Sequence, residues 1–112
     1  MKIEGDGQLI RIFVDENDQH DGKPLYAAIV HRARSEGLAG ATVLRGMMGF
    51  GANSLIHVPA KPGMPEDMPV VIEIVDREDK IARFLPTLDR MVKEGLVTVE
   101  KARVIFHRSS KF

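Results

Sequence analysis

Gly46, Gly49 and Gly51 fall close together in the stretch LRGMMGFGANS, residues 44–54, directly after Arg45. Such a glycine run indicates either a sharp turn or the close approach of another group to the backbone. Its exposed N–H groups could form an anion-binding concavity, with the arginine pairing a phosphate. The spacing G-x-x-G-x-G lacks the following helix of a dinucleotide-binding motif and the lysine of a P-loop. The residue types alone therefore favour a bulged strand end that needs glycine for its dihedral angles.

Basic side chains also recur near the end of the chain, in the segment KARVIFHRSSK, residues 101–111. In an extended segment Lys101, Arg103 and His107 would share one face, because side chains alternate along a strand. The simplest interpretation is a solvated edge strand whose charges prevent aggregation. The alternative is a strand that faces phosphate groups, with Arg108 just beyond it.

Metal ligation and catalysis have little support in the residue pattern. The four histidines do not occur at metal-ligand spacing, and only His57 and His107 remain as weak metal candidates. They could share an ion only if the fold or an oligomer joined them. Ser54 lacks a nucleophile-elbow motif, and no paired acid and base stand out. We therefore predict no catalytic residues and no enzyme activity.

Composition limits the class of protein. The 112 residues suit a single domain, 1–112, and the 44% hydrophobic and 29% charged fractions are ordinary for a globular chain. Because 16 basic residues balance 16 acidic ones, a protein that mainly coats nucleic acid or anionic membranes is not expected. The chain has no cysteine and no apolar run long enough to span a bilayer, and its start, MKIEGDGQ, is not expected to be a signal peptide. A cytoplasmic location is the expectation.

The hydrophobic periodicity predicts two copies of a strand–helix–strand unit. Predicted strands cover residues 9–15, 41–45, 70–76 and 102–107, and each helix ends at a glycine within Glu-Gly-Leu. Residues 1–7 are expected to fray, 50–68 to form a long proline-rich loop, and 108–112 to form a tail. This order predicts an α+β, ferredoxin-like βαββαβ fold, in which a four-stranded antiparallel sheet carries both helices on one face.

The second face of the predicted sheet is unusually apolar. The residues expected there are Leu9, Phe13, Val71, Val75 and Ile105, with Arg11, Glu73 and Arg103 among them. Apolar patches of this size commonly mark an interface, and a homo-oligomer with its sheets packed inward is the simplest account.

Two long stretches resemble a known family. They are IRIFVDENDQHDGKPLYAAIVHRARSEGLAGATVLRGMMGFG and MPVVIEIVDREDKIARFLPTLDRMVKEGLVTVEKARVI, which together cover roughly residues 8–106. In these stretches the chain resembles the PII-like proteins that are catalogued as a domain of unknown function, the one-hundred-and-ninetieth of that series. The run GKPLY…GLAGATVLRG.MGFG carries most of the specificity.

The resemblance implies a homotrimer with sheets facing the threefold axis and an adenine nucleotide as effector between subunits. It implies that loop 50–68 corresponds to the T-loop of PII signalling proteins, which docks on a membrane transporter or an enzyme. The implied ligand-binding residues are Arg45, Gly46, Met48, Gly49, Phe50 and Gly51 at the loop base, and Lys101, Arg103 and Arg108 as phosphate partners.

The chain also departs from PII proteins. The segment EGLVTVEK is shorter than the phosphate-gripping loop of PII and contains only Gly95, and the only tyrosine is Tyr26, so uridylylation is not implied. A metal-binding trimer resembling divalent-cation-tolerance proteins stays open through His57 and His107. An acylphosphatase would need its phosphate loop at ENDQHDG, whose acids repel phosphate. RNA binding lacks the stacking aromatic residues.

Overall fold

A computed structural model describes residues 5–51 and 67–109. The elements in chain order are β1 (Gly5–Asp15), β2 (Gln19–His20), β3 (Lys23–Pro24), α1 (Leu25–Ser35), β4 (Thr42–Arg45), β5 (Pro69–Asp76), α2 (Glu78–Met91) and β6 (Leu96–Val104). The main sheet has the order β4-β5-β1-β6 with antiparallel neighbours, and β2 pairs with β3 as a small hairpin. The predicted ferredoxin-like arrangement is confirmed.

The core lies between the helices and one face of the sheet. Strands β1 and β5 bury every second residue, and Ile12 pairs with Ile72 at the centre of the register. The helices bury residues at intervals of three or four, as an amphipathic helix does. The buried set is Ile10, Ile12, Val14, Val70, Ile72 and Ile74 from the sheet, Leu25, Ile29 and Ala33 from α1, and Ile81, Phe84, Leu88 and Met91 from α2.

The glycine that follows α1 ends this helix as predicted. Gly37 has φ of +79°, and Leu38 after it donates its N–H to the carbonyl of Ala33 at 3.0 Å. The end of α2 differs from the prediction, because the helix stops at Met91 and not at Gly95. A Cβ on Gly95 would lie 2.6 Å from the carbonyl oxygen of Phe13, so this glycine serves the close approach of β6 to β1.

Asp76 has a role that the sequence did not reveal. It directly precedes Arg77, the N-cap residue of α2, and is not itself the cap. Asp76 is fully buried at the end of β5, where its carboxylate accepts hydrogen bonds from the N–H of Ala39 at 3.0 Å and of Arg77 at 2.7 Å. It therefore fastens the connection between α1 and β4 to the central strand.

The bounds of the first and last strands also differ from the prediction. The last strand was expected at 102–107, but β6 spans Leu96–Val104 and includes much of the segment expected to be a loop. The residues 5–7, expected to fray, belong to β1 and pair with 102–104 of β6. The Leu-Val-Thr-Val run, residues 96–99, pairs with residues 10–13 in the apolar half of β1. This pairing makes the run part of a strand.

The second sheet face lacks a covering layer in the described chain. Leu9 pairs with Val75, and Phe13 pairs with Val71, so these four predicted residues share this face, together with Leu44. We call it the open face. Two expectations for it were wrong. The register pairs Arg103 with Asp6, which places it on the opposite side, and Ile105 lies beyond the end of β6.

One arginine organises the polar centre of the open face. Arg11 donates from Nε to Glu73 at 2.9 Å and from Nη1 to Glu100 at 2.5 Å. The hydrogen bond to Glu73, with smaller contributions from Glu100, raises the pKa of Arg11 although burial opposes the shift. Arg11 and Glu73 were both expected on this face, and the register places them opposite each other on β1 and β5.

Candidate functional site

Arg45 ends strand β4 and meets an acidic residue from a distant part of the sequence. Its Nε lies 3.2 Å from Oε1 and 3.1 Å from Oε2 of Glu16, and its Nη2 lies 3.1 Å from Oε2. The arginine side chain is 49% exposed and that of Glu16 is 28% exposed. The sheet thus presents a half-exposed guanidinium whose Nε and Nη2 edge faces a carboxylate.

Glu16 also contacts the segment at which the long loop ends. Its backbone N–H donates to the carbonyl of Met68 at 2.8 Å, and the N–H of Met68 reaches its carboxylate at 3.4 Å. Next to it the N–H of Gly46 donates to the carbonyl of Pro69 at 2.7 Å. We call Glu16, Arg45, Gly46, Met68 and Pro69 the loop base, because they hold both ends of the loop together.

The glycine run packs closely against the loop base. A Cβ on Gly46 would lie 2.9 Å from Cγ of Pro69, and one on Gly49 would lie 3.3 Å from the same atom. A Cβ on Gly51 would meet nothing within 4 Å. None of these glycines has φ in the left-handed range, so the dihedral explanation was wrong and the approach of Pro69 accounts for Gly46 and Gly49. An anion-binding nest of alternating αR and αL residues is not formed at residues 46–51.

Large exposed apolar side chains follow Arg45 in the chain. Met47 is 86% exposed, Met48 is 63% exposed and Phe50 is 69% exposed. Met48 and Phe50 belong to the predicted ligand-binding set, and their exposure leaves them available to a ligand or another protein chain. Exposed cationic and apolar side chains therefore follow one another along the chain directly after β4.

The basic residues of the last strand are exposed but lie elsewhere. Lys101 pairs in the ladder with Gln8 and Arg103 with Asp6, and neither side chain makes a hydrogen bond or ion pair within residues 5–51 and 67–109. Arg108 lies over the ring of Phe106, with 4.1 Å between Cζ and the ring centroid. His107 is exposed as well.

A single chain does not bring the two groups of predicted site residues together. Strands β4 and β6 are opposite edges of the sheet, three strand spacings or about 14 Å apart. Arg45 lies level with Val14 of β1 through Val70, whereas Lys101 lies level with Gln8. That difference of six positions adds about 20 Å along the strands. Only a neighbouring subunit could place Lys101 near an Arg45.

Two open depressions lie outside the predicted site. The larger, about 350 Å³, is lined by Glu36, Leu38, Lys80, Arg83 and Phe84 between the two helices. The smaller, about 160 Å³, is lined by Asp18, Gln19, Leu25, Met91, Lys93 and Glu94. Burial raises the pKa of the Asp18 carboxyl at the smaller one. The charges at the larger one are engaged, since Lys80 donates to Gly37 and Arg83 to Asp79.

The described residues do not support the metal-binding hypothesis. His57 lies outside the described residues, and His107 is exposed. Among residues 5–51 and 67–109 no group of three or more His, Cys, Asp or Glu side chains could hold a metal ion. In the same part of the chain, no helix is long and apolar enough to cross a membrane.

Glu16 is the site residue that the sequence analysis missed. It belongs to the acidic segment ENDQHDG, which read as a polar loop without chemistry. Its partners Arg45 and Met68 are 29 and 52 positions away in the chain. No local pattern could therefore have identified the contact.

Comparison with known proteins assigns this chain to a family. The chain matches the family described as "Uncharacterized ACR", DUF190, over residues 7–104. A UPF0166 protein of Aquifex aeolicus is 39% identical over 88% of this chain and 93% of that protein. A UPF0166 protein of Methanocaldococcus jannaschii is 32% identical over 87% of this chain and 90% of that protein.

A solved structure shares the fold at low sequence identity. It is CPII bound to ADP and bicarbonate, from Thiomonas intermedia K12, with a TM-score of 0.56, 16% identity and 88% of each chain covered. At this identity the likeness concerns the fold, and it confirms the predicted likeness in fold to PII proteins. With the family matched over nearly its whole length, the chain belongs to the DUF190, or UPF0166, family and has a PII-like fold.

Proposed function

We propose that this protein is a trimeric, cytoplasmic, non-catalytic regulator that binds an adenine nucleotide between subunits and acts on a partner through loop 50–68. The observation that carries the proposal is the loop base with its half-exposed Arg45, which exposed Met48 and Phe50 follow closely in the chain. A guanidinium suits phosphate oxygens, and apolar side chains suit the base of a nucleotide. The ADP in the structure of CPII supports this ligand class.

The remaining phosphate partners come from a neighbouring subunit in this proposal. Lys101 and Arg103 are exposed on β6, the edge strand opposite to β4 and Arg45, and Arg108 is exposed just beyond it. Packing of the open faces around a threefold axis would bury Leu9, Phe13 and their neighbours. The same packing would bring a β6 edge next to a β4 edge of another copy.

Regulation follows if the nucleotide binds two conformations of the loop unequally. A ligand shifts such an equilibrium only by its differential affinity for the two states. Contacts at Arg45 and Gly46 lie at one end of the loop, so ligand binding there biases the surface offered to the partner. The partner, a membrane transporter or an enzyme in this proposal, then reads the nucleotide state of the cell.

Thermal unfolding of the purified protein tests the ligand. The panel is ATP, ADP, AMP, cyclic nucleotides and divalent cations, the cations addressing the metal-binding alternative. A ligand that binds only the native state adds about 2.7 kcal/mol to the free energy of unfolding at a hundredfold excess over Kd. Tm rises as a result. We expect a selective rise with one adenine nucleotide.

Substitutions locate the site in the same assay. Arg45→Ala and Arg103→Ala should each abolish the nucleotide-dependent rise, because each removes a proposed phosphate partner. Arg34→Ala, at an exposed arginine in the last turn of α1, is the matched control and should retain it. A wild-type protein that no nucleotide stabilises would contradict the proposed effector.

A further inference from the structure

We infer that Glu16 is a built-in competitor for the anion position at Arg45, so that a phosphate ligand must displace the Glu16 carboxylate before it can pair with the guanidinium. The inference deepens the proposed function and rests on it for the identity of the ligand. It assigns to Glu16 control over the affinity of the site and a link to the loop.

The geometry of the pair leads to this role. The Nε and Nη2 edge of a guanidinium is one that pairs bidentately with carboxylates and phosphates. Both atoms of this edge are within 3.2 Å of Glu16 oxygens. A phosphate that approached the same edge would meet a carboxylate of like charge in its place, and the two anions cannot occupy it together.

The contact is placed so that it can be exchanged. Both side chains are partly exposed, and an exposed ion pair of this kind is weak in water. The backbone of Glu16 remains held by its hydrogen bond to Met68 at 2.8 Å when the side chain leaves. Displacement therefore breaks one partly exposed ion pair. The backbone contact between Glu16 and Met68 stays in place.

Displacement of the carboxylate also reaches the far end of the loop. Oε2 of Glu16, which lies 3.1 Å from Nε of Arg45, also accepts the N–H of Met68 at 3.4 Å. Met68 is buried and precedes β5, so its backbone environment reports on the carboxylate. A phosphate at Arg45 thus changes a contact at residue 68 without touching it.

A purely structural role for Glu16 makes the opposite prediction for affinity. If Glu16 only holds Arg45 in position for the ligand, its neutralisation weakens binding. If Glu16 competes with the ligand, its neutralisation removes a like charge and tightens binding, by about five- to tenfold from the size of such charge interactions near a surface.

The test is isothermal titration of the wild type, Glu16→Gln, Glu16→Gln/Arg45→Ala and Glu36→Gln with ADP, ATP and inorganic pyrophosphate. Glu36 is the matched control, because its side chain is 29% exposed and pairs with Arg32 on α1. Thermal unfolding of each variant without ligand checks folding. The amide resonance of Met68 is followed as a second readout.

Tighter binding in Glu16→Gln, lost with Arg45→Ala and absent in Glu36→Gln, supports the inference, as does binding that appears only in Glu16→Gln. A ligand-like shift of the Met68 amide in unliganded Glu16→Gln supports the link to the loop. If the wild type binds and Glu16→Gln binds equally or more weakly, the inference is overturned while the proposed function stands. If neither protein binds any of the three anions, the inference is overturned, and the proposed function is then decided by AMP and the cyclic nucleotides in the thermal unfolding panel.

Discussion

At the scale of single residues, the loop base shows why glycine occupies positions 46 and 49 next to the long loop. Pro69 packs against the backbone of Gly46 and Gly49, so the space that a side chain would fill is already occupied. Glycine is used there for close approach and not for a left-handed conformation. The two ends of the loop consequently leave the sheet side by side, with Arg45 at their edge.

Gly46→Ala should destabilise the protein by about 1–3 kcal/mol, the usual cost of overpacking. The added Cβ would lie 2.9 Å from Cγ and 3.1 Å from the carbonyl oxygen of Pro69. Gly51→Ala is the matched control and should change stability by less than about 0.5 kcal/mol, because no atom of residues 5–51 and 67–109 lies within 4 Å of its Cβ. Urea unfolding measures both, and equal effects would contradict the packing explanation.

Asp18→Asn should raise Tm slightly at pH 7. Burial raises the pKa of Asp18, so the native state binds a proton more tightly than the unfolded chain does. Stability therefore falls as pH rises through the window between the two pKa values, and above it the ionised carboxylate opposes folding. The amide can still accept the N–H of Asp15, which lies 3.0 Å from the carboxylate.

The pH series supplies the control for this prediction. The difference in Tm between Asp18→Asn and the wild type should shrink below the ordinary aspartate pKa of about 3.9, where both carry no charge. A difference that persists unchanged at low pH would show that the carboxylate acts through its shape and hydrogen bonds.

At the scale of elements, buried polar contacts hold the connections that hydrophobic patterning cannot specify. Asp76 at the end of β5 accepts the N–H of Ala39, which lies in the connection from α1 to β4. Strand β4 has only four residues and, within residues 5–51 and 67–109, pairs with β5 alone, so this contact helps to set where the edge strand begins. The position of Arg45 depends on it indirectly.

Asp76→Ala should lower the free energy of unfolding by about 1–3 kcal/mol, because the N–H groups of Ala39 and Arg77 lose their acceptor. Asp79→Ala is the comparison, since Asp79 is 61% exposed in the first turn of α2 and should cost less than about 1 kcal/mol. Denaturant unfolding with a constant m-value measures the difference. An Asp76→Ala protein as stable as Asp79→Ala would exclude this role.

At the scale of the whole molecule, the sheet separates its two chemical surfaces. The helices cover one face, whereas the open face exposes apolar residues around the ion pairs of Arg11. A face of this kind is stable in contact with copies of itself, because the ladder of Leu9, Phe13, Val71 and Val75 is then removed from water. The proposed intersubunit site requires that assembly.

Phe13→Glu should convert a trimer into monomers, because a carboxylate in an apolar interface is costly to bury. Leu44→Glu, at a residue 50% exposed on the same face, is a second variant that spares the core. Ala82→Glu on the exposed side of α2 is the control and should leave assembly intact. Light scattering after gel filtration gives the mass, and a monomeric wild type would contradict the proposed trimer.

Much of the architecture was predictable because local periodicity encodes it. The alternation in residues 9–15 and 70–76 predicted two strands, and the apolar faces of both helices followed from spacing of three and four. The last strand was misplaced because its outer residues are mostly polar and exposed, as an edge strand's are. Its true position depends on pairing with β1, which sequence spacing does not show.

The sequence by itself determined the fold class, the family and the identity of the arginine at the loop base. Only the tertiary structure decided what surrounds that arginine, because Glu16, Arg45 and Met68 come from separate segments that meet where β1 and β4 end and β5 begins. It also decided that Lys101 and Arg103 lie at the far edge of the sheet. Hydrophobic periodicity is local, whereas charge pairing between distant segments depends on strand order and register.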